Sequence, residues 1–208
     1  MKQKSNVWLG VLLLIIFAAT RWPNLMPPNF SAAYALVFCA GAFFPRPLAW
    51  WLPLGTMAAT DIAINFYYHS WKLTLLASYA VYAALIWLGT RVGPRASWLK
   101  LLGGGLLGAV FFYLVTNTVA WLFNPFGNPE YARNFAGWFR ALTQGTAGYA
   151  ETWRFFLNTL VSGGLFTGLF AAAMKLTASE SKRETETPEP VEDDAEPAPG
   201  AEPEEARS

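Results

Sequence analysis

The sequence predicts an all-α fold: a polytopic membrane bundle of about six transmembrane helices (1–177), followed by a disordered acidic tail (178–208). Three observations predict it. The chain is 54% hydrophobic and 14% charged, whereas a soluble domain carries about 25% charged residues. The charges are also segregated: residues 1–177 hold 12 Lys/Arg against Asp61, Glu130 and Glu151, and residues 178–208 hold 11 acids against Lys182, Arg183 and Arg207. The formal net charge of +1 thus conceals an apolar part at +9 and a tail at −8. Finally, Trp8, Trp22, Trp50, Trp51, Trp71, Trp87, Trp98, Trp121 and Trp153 lie near the ends of apolar stretches, where an amphipathic ring prefers the headgroup level.

Six apolar stretches define the elements: 7–20, 31–44, 47–66, 71–89, 97–123 and 153–176. A spanning helix needs about 20 residues. The last four reach that length, while the first two cross only with their flanks, in a thinned bilayer, or pack inside the bundle. Five spans remain an alternative to six. Lys2 and Lys4 ahead of the first stretch also fit a secretory signal, but the apolar segments that follow favour an anchor. With six spans, nine Lys/Arg (Lys2, Lys4, Arg46, Arg91, Arg95, Lys100, Lys175, Lys182 and Arg183) share one side. Five (Arg21, Lys72, Arg133, Arg140 and Arg154) share the other. That bias puts both termini in the cytoplasm, with membrane lipid around the bundle.

The connection 124–152 is long for a compact bundle, and such loops tend to be functional. Within it Tyr131, Phe135, Trp138, Phe139 and Leu142 recur at helical spacing beside Arg133 and Arg140, as in a short interfacial helix. It lies on the membrane or folds over the bundle as a lid. Small residues four apart, Gly104–Gly108, Gly105–Ala109 and Gly164–Gly168–Ala172, are places where helix backbones approach closely, inside the bundle or against a partner. The tail has no aromatic residue and is rich in Pro and Glu, so it lacks the apolar surface to order itself. Cys39 stands alone in an apolar run, a small buried hydrophobe without a disulfide or thiolate metal site.

Polar residues of the apolar part gather at one predicted end. Asp61 and Asn65 lie near the outer end of the third stretch, Thr116 and Asn117 in the outer third of the fifth, and Arg154, Asn158 and Thr159 at the start of the sixth. Arg21 and Asn29 follow the first stretch. A carboxylate at the centre of a membrane helix costs about 2.5–3.5 kcal/mol on insertion scales. Asp61 is off centre, and Arg21 or Arg154 can offset its charge. It is either an ion pair fixing helices or a wall group of an outward-facing pocket. The candidate solute-binding residues are Asn29, Asp61, Asn117 and Asn158, with Arg21 and Arg154 as ionic partners. Phe30, Phe66, Tyr67, Tyr68, Phe112, Trp121, Phe155 and Phe156 are the aromatic candidates.

Catalysis has little support. There is one histidine, His69, and no HExxH or G-x-x-x-x-G-K-[ST]. The VSGG at 161–164 lacks the glycine two positions before Ser162 that a nucleophile elbow requires. The chain is therefore expected to be no enzyme, with no cofactor, no metal and no nucleic-acid partner.

Several short motifs occur in order: Arg21-x-Pro23, Pro28-Asn29-Phe30, Asp61, then Phe111, Phe112, Thr116, Asn117 and Trp121 within FFYLVTN and its flank, then FFLNTL at 155–160. Over residues 20–172 the chain resembles an uncharacterised prokaryotic membrane family regarded as transport proteins. That family is similar to the S components of energy-coupling factor (ECF) transporters. The resemblance implies a six-helix protein of the prokaryotic cell (inner) membrane, capturing a vitamin- or nucleobase-like solute at its outer face. It also implies delivery through a separate transmembrane coupling protein with two cytoplasmic ATPases. The sequence departs from that pattern in three places: 7–20 has no alanine pair four apart, position 154 is Arg, and 162–163 is Ser-Gly. A scaffold that holds partners through its glycine ridges and acidic tail is the alternative function.

Overall fold

A computed structural model describes residues 7–69 and 75–186 of the chain. Those residues form seven α-helices and no strand: α1 (Val7–Arg21), α2 (Ala33–Phe43), α3 (Arg46–Tyr68), α4 (Leu75–Val92), α5 (Trp98–Phe123), α6 (Phe135–Thr143) and α7 (Thr152–Glu186). Each of the six apolar stretches forms a helix. The extra one, α6, is the short helix expected within 124–152. Lys2, Lys4, Trp71 and Lys72 lie outside the described residues, as does the tail from 187 onward.

The bundle is organised around α2. Its eleven residues, AYALVFCAGAF, have no polar face, and Ala33 through Ala42 are all buried. A helix apolar all round is a buried helix. At 1.5 Å per residue it is about 16 Å long, roughly half the hydrocarbon thickness of a bilayer. It packs against α1, α3, α4, α5 and α7. The tightest crossing joins α2 to α4: a Cβ on Gly41 would lie 2.1 Å from the Ile86 carbonyl oxygen, and one on Gly89 would lie 2.1 Å from that of Phe38. Only two glycines facing each other permit such an approach.

The small-residue ridges of α5 and α7 are used inside the bundle. Gly104 faces the Phe38 ring, Gly105 faces the Thr167 side chain, Gly108 faces Leu85, Gly164 faces Leu106, and Gly168 faces Leu102.

In α3 every fourth residue is buried: Ala49, Pro53, Met57, Asp61 and Asn65. Residues four apart share a helix face, so the stripe that buries Met57 also carries Asp61 inward. The opposite face presents Trp51, Ile62 and Phe66, all exposed.

Similar exposed apolar rows run along α5 (Leu107, Phe111, Leu114) and α7 (Leu157, Val161, Leu165, Leu169). Such contiguous apolar surface suits lipid rather than water. Among the described residues, three helices are long and apolar enough to cross a membrane: Leu75–Val92, Trp98–Phe123 and Thr152–Ser179. This is compatible with a membrane location. Although α3 has 23 residues, it carries Arg46, three further polar residues around Asp61, and two prolines, and is less apolar.

The last helix differs from the expected boundary at residue 177, continuing to Glu186. The stretch ASESKRETE contains neither Gly nor Pro, so a helix already nucleated can propagate through it. On the same end of the bundle, Lys175 Nζ donates to the Ala96 carbonyl at 2.7 Å, tying α7 to the α4–α5 turn.

Candidate functional site

Asp61 is the meeting point of three helices. Arg21 is the final residue of α1, where the negative end of the helix dipole favours a cation. Its Nη2 forms an ion pair with Asp61 Oδ1. The other terminal nitrogen, Nη1, donates to Thr60 Oγ1 at 2.8 Å and to the Met57 carbonyl at 3.3 Å. From α4, the Tyr79 hydroxyl donates to Asp61 Oδ2 at 2.7 Å. Both carboxylate oxygens are thus engaged, one by α1 and one by α4, and Asp61 is only 4% exposed. Asn65 completes the stripe by donating to the Asp61 backbone carbonyl at 2.8 Å. Of the two arginines that could offset Asp61, Arg21 does so. Arg154 instead pairs with Glu151 at 3.3 Å on the surface and lies over the Trp153 ring.

A cavity of about 460 Å³ opens beside this cluster. The end of α1 supplies Arg21; the turn between α1 and α2 supplies Asn29 and Phe30; α2 supplies Tyr34; α4 supplies Ser78 and Tyr82; α5 supplies Phe112. Three of these rings cluster: Phe112 stacks on Tyr82 at 5.5 Å, and Tyr34 packs tilted against Phe112 at 4.6 Å. Asp61 sits behind Arg21 and does not line the wall.

Two amides hold the turn in shape. Asn29 takes a left-handed backbone (φ 62°), which Asn tolerates better than most residues, and its carbonyl accepts from the Tyr34 hydroxyl at 3.5 Å. Asn158 of α7 reaches across to donate to the Pro28 carbonyl at 2.9 Å. The turn is further tied by Thr20, whose Oγ1 donates to Phe17 and accepts from the Ala32 N–H.

Asn117 lies elsewhere. Its Nδ2 donates to the Tyr113 carbonyl one turn back at 2.8 Å, and it lines a different cavity of about 530 Å³ between the end of α5, the 124–152 connection and the start of α7. The polar residues that share one end of the sequence topology therefore separate. Arg21 and Asn29 line the first cavity, with Asp61 behind it and Asn158 bracing its turn. Asn117 lines the second, and Arg154 lines neither. Among the aromatic candidates, Phe30 and Phe112 line the first and Phe155 the second, whereas Phe66, Tyr67 and Tyr68 are exposed.

The connection itself is well braced. The short helix α6 folds against α5 and α7. Trp138 Nε1 donates to Thr118 Oγ1 at 2.9 Å, the Trp121 indole donates to the Ala132 carbonyl at 2.8 Å, and the Tyr113 hydroxyl donates to the Leu142 carbonyl. Glu130 Oε1 accepts from the Ala147 N–H at 3.0 Å, which holds its carboxyl below the usual carboxylate range, helped by its own backbone N–H and by Arg140. Partial burial, followed by the charge of Glu130, raises the pKa of Tyr131.

His69 has a local role: it caps α3 in a left-handed conformation (φ 51°), its ring Nδ1 2.7 Å from the Phe66 carbonyl. Among the described residues no group of three His, Cys, Asp or Glu side chains is placed to hold a metal ion. Sequence reasoning missed Tyr79, Thr60, Ser78, Tyr34 and Tyr82. Thr60 and Tyr79–Tyr82 had a signal of sorts, the first by adjacency to Asp61 and the pair by sharing a helix face at i, i+3.

No curated protein and no solved structure matches the chain. Residues 1–187 match DUF6580, a family of unknown function, and the chain belongs to that family.

Proposed function

We propose that this protein is an integral membrane protein, similar to ECF S components, that binds a small vitamin- or nucleobase-like solute at its outer face for uptake. In this reading the chain crosses the membrane six times, α2 with its flanking turns among the crossings, and both termini lie in the cytoplasm. A transmembrane coupling protein with ATPase subunits supplies the energy. The observation that carries the proposal is the cavity beside the Arg21–Asp61 pair. Its volume falls within the range of about 300–1,000 Å³ of small-molecule sites. Its walls have the make-up such sites favour: a cluster of aromatic rings with a few polar groups, here Arg21, Asn29 and Ser78. Because Asp61 and Thr60 hold the guanidinium in place, a solute meets a donor already oriented.

The scaffold reading drew on the acidic tail and on the glycine ridges of α5 and α7, and those ridges pack against Phe38, Thr167, Leu85, Leu106 and Leu102 within the bundle. Solute binding therefore stands as the preferred reading. Thermal stability of the purified protein across a panel of vitamins and nucleobases tests it, with Asp61→Asn measured alongside. A solute at 100 times its dissociation constant stabilises a protein by about 2.7 kcal/mol. A shift in the wild type that is lost in Asp61→Asn supports the proposal. Absence of a shift with every compound, together with copurification of unrelated membrane proteins that Asp61 substitution leaves intact, favours the scaffold.

A further inference from the structure

The cavity on the other side of the bundle end has a different chemistry. We propose that it is a second binding site, for an uncharged solute with a flat face and a hydrogen-bonding edge, such as a nucleobase or a monosaccharide. Its volume of about 530 Å³ suits a molecule of that size. No Lys, Arg, Asp or Glu is among the described residues of its wall. Instead Asn117, Thr146 and Thr152 offer amide and hydroxyl groups, and Tyr131, Tyr149 and Phe155 offer rings. An ionised solute would find no counter-charge here, and desolvating it would be costly. A plain hydrocarbon would strand the polar groups of the wall. A neutral molecule with both an apolar face and polar edges meets both constraints.

The walls are built for permanence. Asn124 closes α5 in a left-handed conformation and exchanges two hydrogen bonds with Asn128: its Nδ2 donates to the Asn128 carbonyl at 3.0 Å, and its Oδ1 accepts from the Asn128 N–H at 2.8 Å. The Glu130–Ala147 bond joins the two arms of the connection, immediately beside the wall residues Tyr131 and Thr146. With Asn117 Nδ2 engaged by Tyr113, the amide is oriented and its Oδ1 is the atom left to accept from a solute. This cavity shares no wall residue with the one beside Arg21, so the two can be tested separately.

The test uses the full chain purified in detergent, with equilibrium dialysis and thermal stability as readouts. Adenine and uracil form one arm and glucose the other, with adenosine monophosphate and glucose 6-phosphate as charged counterparts. The expected result is saturable binding in one neutral arm, with the charged counterpart weaker by roughly tenfold or more. Thr146→Trp, which fills the cavity, and Phe155→Leu, which removes a stacking face, should each weaken that binding by about tenfold. In Ser78→Trp, which fills the other cavity, one saturable class of sites for the neutral probe should remain, and adding Thr146→Trp to it should weaken that class by about tenfold. The inference is overturned if no neutral probe binds, or if the charged counterpart binds equally well. It is also overturned if Ser78→Trp abolishes binding while Thr146→Trp and Phe155→Leu preserve it, an outcome that assigns the solute to the Arg21 cavity.

Discussion

Replacing Asp61 by leucine tests the three-helix junction, because the sign of the effect depends on whether the carboxylate is paired. A lone aspartate in a membrane helix costs about 2.5–3.5 kcal/mol at the centre, so an apolar replacement would stabilise the protein. Here the carboxylate accepts from Arg21 on one oxygen and from Tyr79 on the other. Removing one member of a buried ion pair costs about 3–5 kcal/mol, because the remaining charge is stranded. The Arg21 side chain is 15% exposed and keeps its bonds to Thr60 and the Met57 carbonyl. That places the cost of Asp61→Leu near the lower end, about 3 kcal/mol. Arg21→Leu should cost a similar amount. The double variant strands no charge, so it should lie well below the sum, at roughly 1–2 kcal/mol. Reversible unfolding in mixed micelles, titrated with a denaturing detergent and followed by tryptophan fluorescence, measures all three. A stabilising or neutral Asp61→Leu, or strict additivity in the double variant, would refute the reasoning.

Four further outcomes follow from contacts elsewhere. Gly89→Ala places a Cβ 2.1 Å from the Phe38 carbonyl oxygen and should cost about 3 kcal/mol or prevent folding. Gly103→Ala, with nothing within 4 Å, should gain up to about 1 kcal/mol of helix propensity in the same unfolding assay. Thr167 Oγ1 is, among the described residues, the one buried side-chain polar atom without a hydrogen-bond partner. Thr167→Val should accordingly be neutral or stabilising by about 1 kcal/mol. The Glu130 carboxyl is held below its ordinary value of 4.5. A depressed carboxylate pKa stabilises the folded form above the unfolded value, and that contribution is lost as pH falls through the folded value. Hydrogen exchange of the 124–152 connection should therefore quicken as pH drops below 4.5, after correction for intrinsic exchange, and lose this dependence in Glu130→Gln.

How much of this was legible beforehand depended on the distance over which the signal acts. The buried stripe of α3 is local: Ala49, Pro53, Met57, Asp61 and Asn65 repeat every four residues, so the inward direction of Asp61 can be read from spacing. The burial of α2 is local too, since no residue of AYALVFCAGAF offers a polar face. Arg21 as the partner of Asp61 was one of two options, and choosing between them required the packing of α1 on α3. Tyr79 was hidden because a tyrosine in an apolar helix reads as an interface or core aromatic until its hydroxyl finds an acceptor. The Gly41–Gly89 crossing was invisible for a related reason. Each glycine is isolated in its own helix, and only the tertiary contact pairs them. Separation of the polar residues between two cavities likewise depends on non-local bonds, Asn158 to Pro28 and Glu130 to Ala147, which no periodicity encodes.

The central claim is that the cavity beside Arg21 opens to the exterior and takes up a solute there. Labelling Ser31→Cys in intact cells with a membrane-impermeant maleimide tests this most directly. Ser31 lines the cavity, and the native Cys39 is fully buried and so remains silent. The account predicts labelling from outside without permeabilisation, and protection of the new thiol by a solute that also raises thermal stability. Labelling only after the cells are permeabilised, or labelling that no stabilising solute slows, would contradict it.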